Sequence, residues 1–575
     1  MKQEKYFVRR LFLQFFIPSL LSSLGLAVGA LADCVYIGNR LGEEGLYVIG
    51  IMSPVYMVFM TFTVAMAVGG TIKFGSLLGS GNYEEGRKNC MNVLAFNFIG
   101  VCLLSVVGLV FTKPLIGLLG ASADSALYPM TLTYTRVMFA FCPILFMQAP
   151  LEYYVHSDGN PKCASVAMVV GCVVDCVTGF LLIVVGNVGV NGSIFSTVFG
   201  ALAMEGICLL HFLSKKGTVR IERVKLSLKN AWSNFRTGFS TSAQYVYKFV
   251  VLFVFNRLLF AIDGESGVAI YDVVVNIVSL VFAFVEATIL AFTPLCATFI
   301  GECNEKNVKA CFKTAIVTGV ATTTAAALAI VIFAHPFCLF VGLDASIAAD
   351  GAHALRLVSL SYIVACINCV VATFYQTIGK ERLSFVITIL RELIVLLTCA
   401  ILIFFVNRDA FWYVYLAAET LSLIGVLAGV FIFAFVQKKL RGQSLIDFKG
   451  KQVFSESFHG SCEKISDTCE RMQTFLEERG VLLKQALMIT LAVDETCRII
   501  ASQSGDLKLQ ITLVLEDEAC TVHLRDNASK FNPMEIDMDS DEALGLKIVR
   551  KKTSEYYYRQ FVGFNMLTML FERKD

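Results

Sequence analysis

The sequence predicts an all-α membrane protein of twelve transmembrane helices in two pseudo-repeated six-helix bundles, followed by a C-terminal cytosolic α+β domain. Three observations predict it. Of the 575 residues, 56% are hydrophobic and only 16% are charged, against roughly 25% charged in a soluble domain. Two loop signatures recur at nearly one sequence offset. After Arg441 the composition changes, and residues 445–575 carry ordinary charge density with no spanning stretch.

The chain opens with Lys2, Lys5, Arg9 and Arg10, then an apolar run and the small residues Gly29-Ala30-Leu31-Ala32. That resembles a secretory signal, but the apolar run is longer than a signal core of about 7–15 residues. It reads as a retained first span. Twelve hydrophobic stretches follow one another from about residue 12 to residue 436, each near the ~20 residues that cross a bilayer.

The repeat is carried by two markers. Gly79-Ser80-Gly81-Asn82 is matched by Gly301-Glu302-Cys303-Asn304, and the glycines lie 222 residues apart. His156-Ser157-Asp158-Gly159 is matched by Gln376-Thr377-Ile378-Gly379, with Gly159 and Gly379 220 apart. Paired membrane bundles with a cavity between them are an architecture of transporters.

Lys and Arg alternate between connections. Arg87, Lys88, Lys162, Lys306, Lys309, Lys313, Lys380, Arg382, Lys438, Lys439 and Arg441 fall on one side with the N-terminus, while the other side holds little beyond Arg40, Lys113 and Arg408. The positive-inside rule then places both termini in the cytosol of a multi-pass protein of the cytoplasmic membrane. The domains expected are a first bundle over 1–213, a basic linker over 214–236, a second bundle over 237–440 and the soluble domain over 445–575. The linker holds Lys215, Lys216, Arg220, Arg223, Lys225, Lys229 and Arg236, which set topology and suit anionic lipid headgroups. With a net charge of +2, the chain offers no bulk signal for nucleic acid.

Within the soluble part, 461–479 and 486–502 read as helices, 507–515 and 519–525 as paired strands, and 565–571 as a last strand. The 19 cysteines make no framework. Most lie in apolar stretches, where cysteine acts as a small hydrophobe. Cys366 and Cys369 lack a second ligand pair at zinc spacing.

Ionisable residues inside spans are costly and are therefore candidate functional groups. Asp33, Asp175 and Glu205 are the candidates for ion coupling, because two carboxylates in a low-dielectric pocket bind a proton or share a cation. Asp272, Glu286 and Glu419 are candidates for lining a cavity that draws a cationic substrate. Arg391 reads as a structural partner for a carboxylate or backbone carbonyls.

Ile17-Pro18, Asp33-Cys34-Val35-Tyr36-Ile37-Gly38, Gly79-Ser80-Gly81-Asn82-Tyr83, Asp158-Gly159-Asn160-Pro161-Lys162, Pro294 to Gly301 and Phe374 to Lys380 together resemble the multidrug and toxic compound extrusion (MATE) family. The resemblance covers about residues 10–440. It implies a V-shaped pair of bundles that exports organic cations or other xenobiotics against an inward flow of Na⁺ or H⁺, with Asp33 on the family's coupling position and Na⁺ bound there where Na⁺ is the ion. Asp175 stands where many members have Asn, and Gly179 where several have a second acid.

The tail resembles the histidine-kinase-like ATPase fold in its anti-sigma-factor form. Leu491-Ala492-Val493-Asp494-Glu495, Arg525-Asp526-Asn527-Ala528 and Gly545-Leu546-Lys547-Ile548-Val549 carry the likeness. It implies nucleotide contacts from Glu495, Asp526, Asn527 and Gly545. Ile499 replaces the family's Mg²⁺-binding Asn and Ala528 a glycine, so ATP binding is an expectation weakened by the residues themselves. The leading reading is a non-enzymatic antiporter with a regulatory cytosolic domain that meets a cytosolic partner protein. The alternatives are a lipid-linked oligosaccharide flippase of the same superfamily and a membrane-tethered anti-sigma-type signalling protein.

Overall fold

The computed structural model describes residues 4–119, 127–214, 217–222, 224–341, 343, 345–441, 451–502, 507–535, 550, 553–561 and 564–572, without the side chains of some helical residues such as Asp33. Among the described residues, twelve helices are long and apolar enough to cross a membrane. Six are Tyr6–Gly29, Val48–Gly79, Tyr83–Val110, Tyr128–Ser157, Pro161–Val185 and Asn191–Leu213; six are Leu228–Gly264, Ser266–Gly301, Glu305–Phe340, Ala348–Thr377, Glu381–Val406 and Arg408–Gly429. They are called here the first to twelfth spans.

Helical turns fill Glu4 to Gly79, but not as one rod. At about 1.5 Å per residue such a rod would exceed 100 Å. Phe7 and Tyr83 nevertheless both meet one strand of the C-terminal sheet, at Phe564 and Thr568. The chain therefore reverses between Gly29 and Val48, and the ends of the first and second spans lie together at the face that meets the tail.

The repeat is visible in turn geometry. Gly81 has φ +83° and Cys303 φ +53°; Gly159 has φ +88° and Gly379 φ +77°. The caps agree, since Asn82 N donates to Leu77 O at 2.9 Å and Asn304 N to Phe299 O at 3.0 Å. A helix that ends in a left-handed residue with such a six-to-one bond has its last carbonyls satisfied. Three of these turns use glycine, which adopts positive φ without strain.

The two halves close on each other at the tail-side end. A Cβ on Gly75 would sit 2.9 Å from that of Ala297, and one on Gly238 only 1.9 Å from Ala65 O. Glycine here lets backbones approach as membrane helices do at small-residue contacts. The seventh span begins at Leu228 rather than near 237, because Ser227 caps it and its hydroxyl accepts from Asn230 N at 3.3 Å. This early helix ties the halves together. Asn234 donates to Asn89 Oδ1 at 2.8 Å on one side, and Gln376 to Thr237 O at 2.6 Å on the other. Lys215, Lys216 and Arg223 lie outside the described residues.

The tail is a five-stranded antiparallel sheet, β1 (Gln452–His459), β2 (Lys508–Leu515), β3 (Ala519–Asp526), β4 (Glu555–Phe561) and β5 (Phe564–Glu572), in the order β1-β2-β3-β5-β4. Its strands alternate with period two. Leu509, Ile511 and Leu513 point to one face, where helices Cys462–Glu477 and Leu483–Ser502 cover them with Met472, Leu476 and Ile489. Gln510, Thr512, His523, Arg525 and Thr568 occupy the opposite face and are also buried, because that face sits on the ends of the spans. β1 and β4 have no counterpart in the sequence reading.

Candidate functional site

The first half holds three carboxylates, on Asp175, Glu205 and Glu152, each with one buried oxygen that has no hydrogen-bond partner. Asp175 lies on the fifth span, which Pro161 opens and Asn160 caps by accepting from Cys163 N at 3.2 Å. Gly171 and Gly200 bring the sixth span close, so that a Cβ on Gly200 would fall 2.9 Å from that of Asp175. Asp175 Oδ1 is buried without a hydrogen bond, with the hydroxyls of Ser196 and Thr197 beside the carboxylate. Past Gly179 the helix widens into a π-helical turn over Phe180–Val185, a departure that often marks functional sites.

The helix that carries Asp33 runs alongside. Cys172 Sγ donates to Gly25 O at 3.1 Å, and the rings of Tyr36 and Phe180 lie 6.2 Å apart. These contacts bracket both aspartates on facing backbone segments. The Asp33 side chain itself lies outside those described.

Glu205, on the sixth span, also has a buried Oε1 with no partner, as do Glu152 Oε1 and both ring nitrogens of His156. His156 Nε2 lies 3.7 Å from Glu152 Oε1. Cys208, one turn beyond Glu205, is within electrostatic reach of both glutamates. The sequence reading passed over Glu152 and His156, although their spacing of four residues on one helix face was a usable signal.

Between the halves, Glu286 of the eighth span shares its surroundings with Lys248, Glu152, Tyr153 and Tyr245. Lys248 stands over the ring of Phe282 at 4.8 Å and of Tyr245 at 5.7 Å, within cation–π range. This is a mixed-charge, tyrosine-rich setting rather than a purely acidic one.

The three expected cavity acids do not come together. Asp272 lies about 21 Å from Glu286 along the same helix; it is exposed and accepts from Asn276 at 3.4 Å. Glu419 is enclosed in the second half, where Asn368 donates to it at 2.8 Å and Arg391 Nε lies 3.5 Å away. Arg391 also pairs with Glu392 and donates to Cys369 Sγ at 2.6 Å. The helix again takes a π-helical turn there, over Leu390–Val395. Arg391 is thus placed as the partner for a carboxylate that its position in a span predicts.

In the tail, Asp526 ends β3. Its Oδ1 accepts from Ala528 N at 2.9 Å and Asn565 Nδ2 at 2.8 Å. Burial first, offset by those bonds, leaves its carboxyl raised to about 6. Asn527 Oδ1 accepts from Lys508 N at 2.6 Å. Both side chains are therefore engaged inside the domain. Glu495 is half-buried on the second tail helix and Ile499 packs against the core. Gly545 lies outside the described residues. No group of three His, Cys, Asp or Glu able to hold a metal occurs among the described residues.

The MatE family matches residues 18–181 and again residues 237–401, once in each half and over more than half of the chain. The chain belongs to the MATE family. MATE proteins are transporters and not enzymes, and the chain is accordingly a transporter. A 436-residue alignment to the multidrug export protein MepA of Staphylococcus saprophyticus is 21% identical and covers 75% of this chain and 95% of that one. The probable multidrug resistance protein YoeA of Bacillus subtilis is 23% identical over 226 residues, and a protein named FAD transporter from Shewanella oneidensis is 25% identical over 227. The chain spans about half the length of these last two relatives, 48% and 50%.

Solved structures give the fold. An outward-facing MATE transporter of the MOP superfamily superposes with a TM-score of 0.67 at 20% identity, covering 75% of this chain and 97% of that one. The Vibrio cholerae transporter VcmN gives 0.70 at 18%, covering 77% and 99%. The MATE body thus places Asp175 and Glu205 in the first half, Glu286 with Lys248 between the halves, and Glu419 with Arg391 in the second.

Proposed function

We propose that this MATE transporter exports small organic, chiefly cationic xenobiotics across the cytoplasmic membrane by antiport with Na⁺ or H⁺, and that the tail regulates it from the cytosol. The observation that carries this reading is the set of buried carboxylate oxygens without a hydrogen bond, one each on Asp175, Glu205 and Glu152, with only the hydroxyls of Ser196 and Thr197 beside Asp175. A buried carboxylate without a partner is costly while charged, so it takes up a proton or a cation. Release of that ion on one side and uptake on the other make a coupling device. The backbone run of the first span beside Asp175 favours Asp33 as a third member.

Arg87, Lys88, Lys306, Lys309 and Lys380 lie near the span ends that meet the tail, which supports a cytosolic tail and cytosolic termini. Closure of the halves at that end supports a state open to the outside. In alternating access the two bundles rock about a fixed central site, here around Glu286 and Lys248.

Efflux of a fluorescent organic cation from vesicles tests the reading. Export that collapses with one imposed gradient and persists when the other is removed names the coupling ion. Export indifferent to both gradients overturns antiport. A second reading, export of an aromatic anion, is favoured by Lys248 among Tyr153, Tyr245 and Phe282 and by the relative named FAD transporter; competition by a flavin nucleotide separates it from the first.

A further inference from the structure

The sheet of the tail stands on both halves at once, through the two loops that the repeat relates. The second half meets β1 to β3. Asn304 donates to Ser455 at 2.8 Å and to Thr512 at 3.1 Å, and Asn307 exchanges bonds with Gln510 at 3.1 and 3.2 Å. Arg525 Nη2 donates to Glu302 Oε1 at 2.7 Å. The loop after the second span meets β4 and β5, where the rings of Tyr83 and Tyr557 lie 4.5 Å apart and Tyr83 OH reaches Thr568 at 3.5 Å.

A hydrogen-bonded sheet keeps its strands at about 4.8 Å and does not stretch. Its two footings sit on loops that must separate for the halves to part at this end. The sheet therefore has to release one of them before the cytosolic side opens. The footing on the second half joins amides, hydroxyls and one ion pair to an apolar patch, where Phe564 and Met566 belong to one buried cluster with Phe299 and Val308. Its amides, hydroxyls and ion pair can exchange their partners for water on release, as at interfaces between domains that move.

We propose that the tail is a clamp that holds the transporter shut toward the cytosol while docked, and that Arg525 and Glu302 form its latch. This rests on reading the body as an alternating-access transporter. The latch is finely balanced. Burial pushes the Glu302 carboxyl up and the Arg525 guanidinium down, against the direction of their mutual attraction, and a buried pair whose desolvation rivals its attraction adds little net stability while intact. Removing one partner is another matter, because it strands a buried charge. It shifts the docked-to-released ratio by roughly a hundredfold to a few thousandfold.

The test uses the full chain in a cysteine-free background, with spin labels at Asn82 and Lys309, beside the two loops that meet the tail, and their distance distribution measured in lipid vesicles. The reference protein should show one short distance. Arg525→Ala, and separately removal of residues 445–575, should each add a longer one. Glu302→Arg combined with Arg525→Glu should return the population to the short distance. A single short distance in the tail-less protein overturns the clamp. Broadening in the tail-less protein but not in Arg525→Ala overturns the latch. These distances are read without any substrate, so a failure of the export reading appears in efflux alone and is told apart from a failure of the clamp.

Discussion

Gly79 and Gly301 touch backbone to backbone: a Cβ on Gly79 would lie 2.9 Å from the Cα of Gly301 and only 2.1 Å from Thr298 O. The reciprocal relation holds, with a Cβ on Gly301 falling 2.1 Å from Ser76 O. The two halves thus approach each other at equivalent positions of the repeat, with no side chain between. Gly79→Ala has no room unless the halves separate. The expected outcome is a loss of about 1–3 kcal/mol from the closed state, read as a longer Asn82–Lys309 distance and a lower melting temperature. An unchanged distance with unchanged melting would show that this contact does not hold the gate.

Asp33→Asn and Asp175→Asn each keep the size of the side chain and remove its charge. Each should abolish gradient-driven efflux of the fluorescent cation while membrane expression stays at the parent level. Glu205→Gln should shift the pH dependence of efflux. Export by Asp33→Asn at the parent rate would remove Asp33 from the coupling site.

Arg391 is the charge that keeps Glu392 and Glu419 tolerable inside the second half. Arg391→Ala strands those carboxylates and should cost about 3–5 kcal/mol, the usual penalty for breaking a buried pair by one partner. Adding Glu419→Gln should recover part of it. Thermal melting in detergent measures both. Melting of Arg391→Ala at the parent temperature would mean that the cluster is hydrated.

Removal of residues 445–575 should leave the twelve spans folded and basal transport intact, since the body's own cores are built from span residues such as Phe255, Val274 and Leu355 in one half and Phe139, Phe146 and Ile194 in the other. Size-exclusion behaviour and efflux of the shortened protein check this. A folded but inactive shortened protein would make the tail an obligatory part of the transport cycle.

The tail should also respond to acid. Burial, then the nearby Arg525 and Arg559, pushes the His523 imidazole down to about 3. Its Nδ1 lies 3.1 Å from Thr568 Oγ1. The folded tail therefore disfavours a proton that the unfolded chain binds near pH ~6.5. The stability this contributes is complete above that value and falls as the pH drops toward the folded pKa, by about 1.4 kcal/mol per pH unit. Asp526, raised by burial to about 6, acts in the opposite sense: its contribution is present below its unfolded pKa and is lost as the pH rises through the folded one. In the full chain, acidification from about pH 7 to about pH 5 should lower the hydrogen-exchange protection factors of β3 roughly tenfold more in the parent than in His523→Gln. An equal loss of protection in both would assign the acid response elsewhere.

The spans were legible because a bilayer demands long apolar helices, and the repeat because its turns need particular residues: glycine at 81, 159 and 379. The fourth turn, legible through Gly301 and Asn304, puts Cys303, which is not a glycine, in the same left-handed φ. β1 and β4 were not legible. Val453-Phe454-Ser455-Glu456-Ser457-Phe458 alternates only weakly, because its second face is polar to fit Asn304 rather than water. Lys248 drew no attention among the cations of its span, which also holds Arg236 and Arg257, yet it stands beside Glu286. The pairing of Glu302 with Arg525 links positions far apart in the chain, and neither side's local pattern points to the other. The grouping of Asp272, Glu286 and Glu419 failed for a simpler reason: depth along a helix and membership of a bundle separate acids that composition lists together.

The position of the tail in the chain adds a consequence for assembly. β1 to β5 leave the ribosome after every span has been made, so the sheet meets a body already inserted. It finds a complete floor only where the loops at Tyr83 and Asn304 stand side by side. A molecule with one bundle misthreaded presents half a floor and leaves Arg525 and His523 facing water. A docked tail is therefore one for which the two halves have come together correctly.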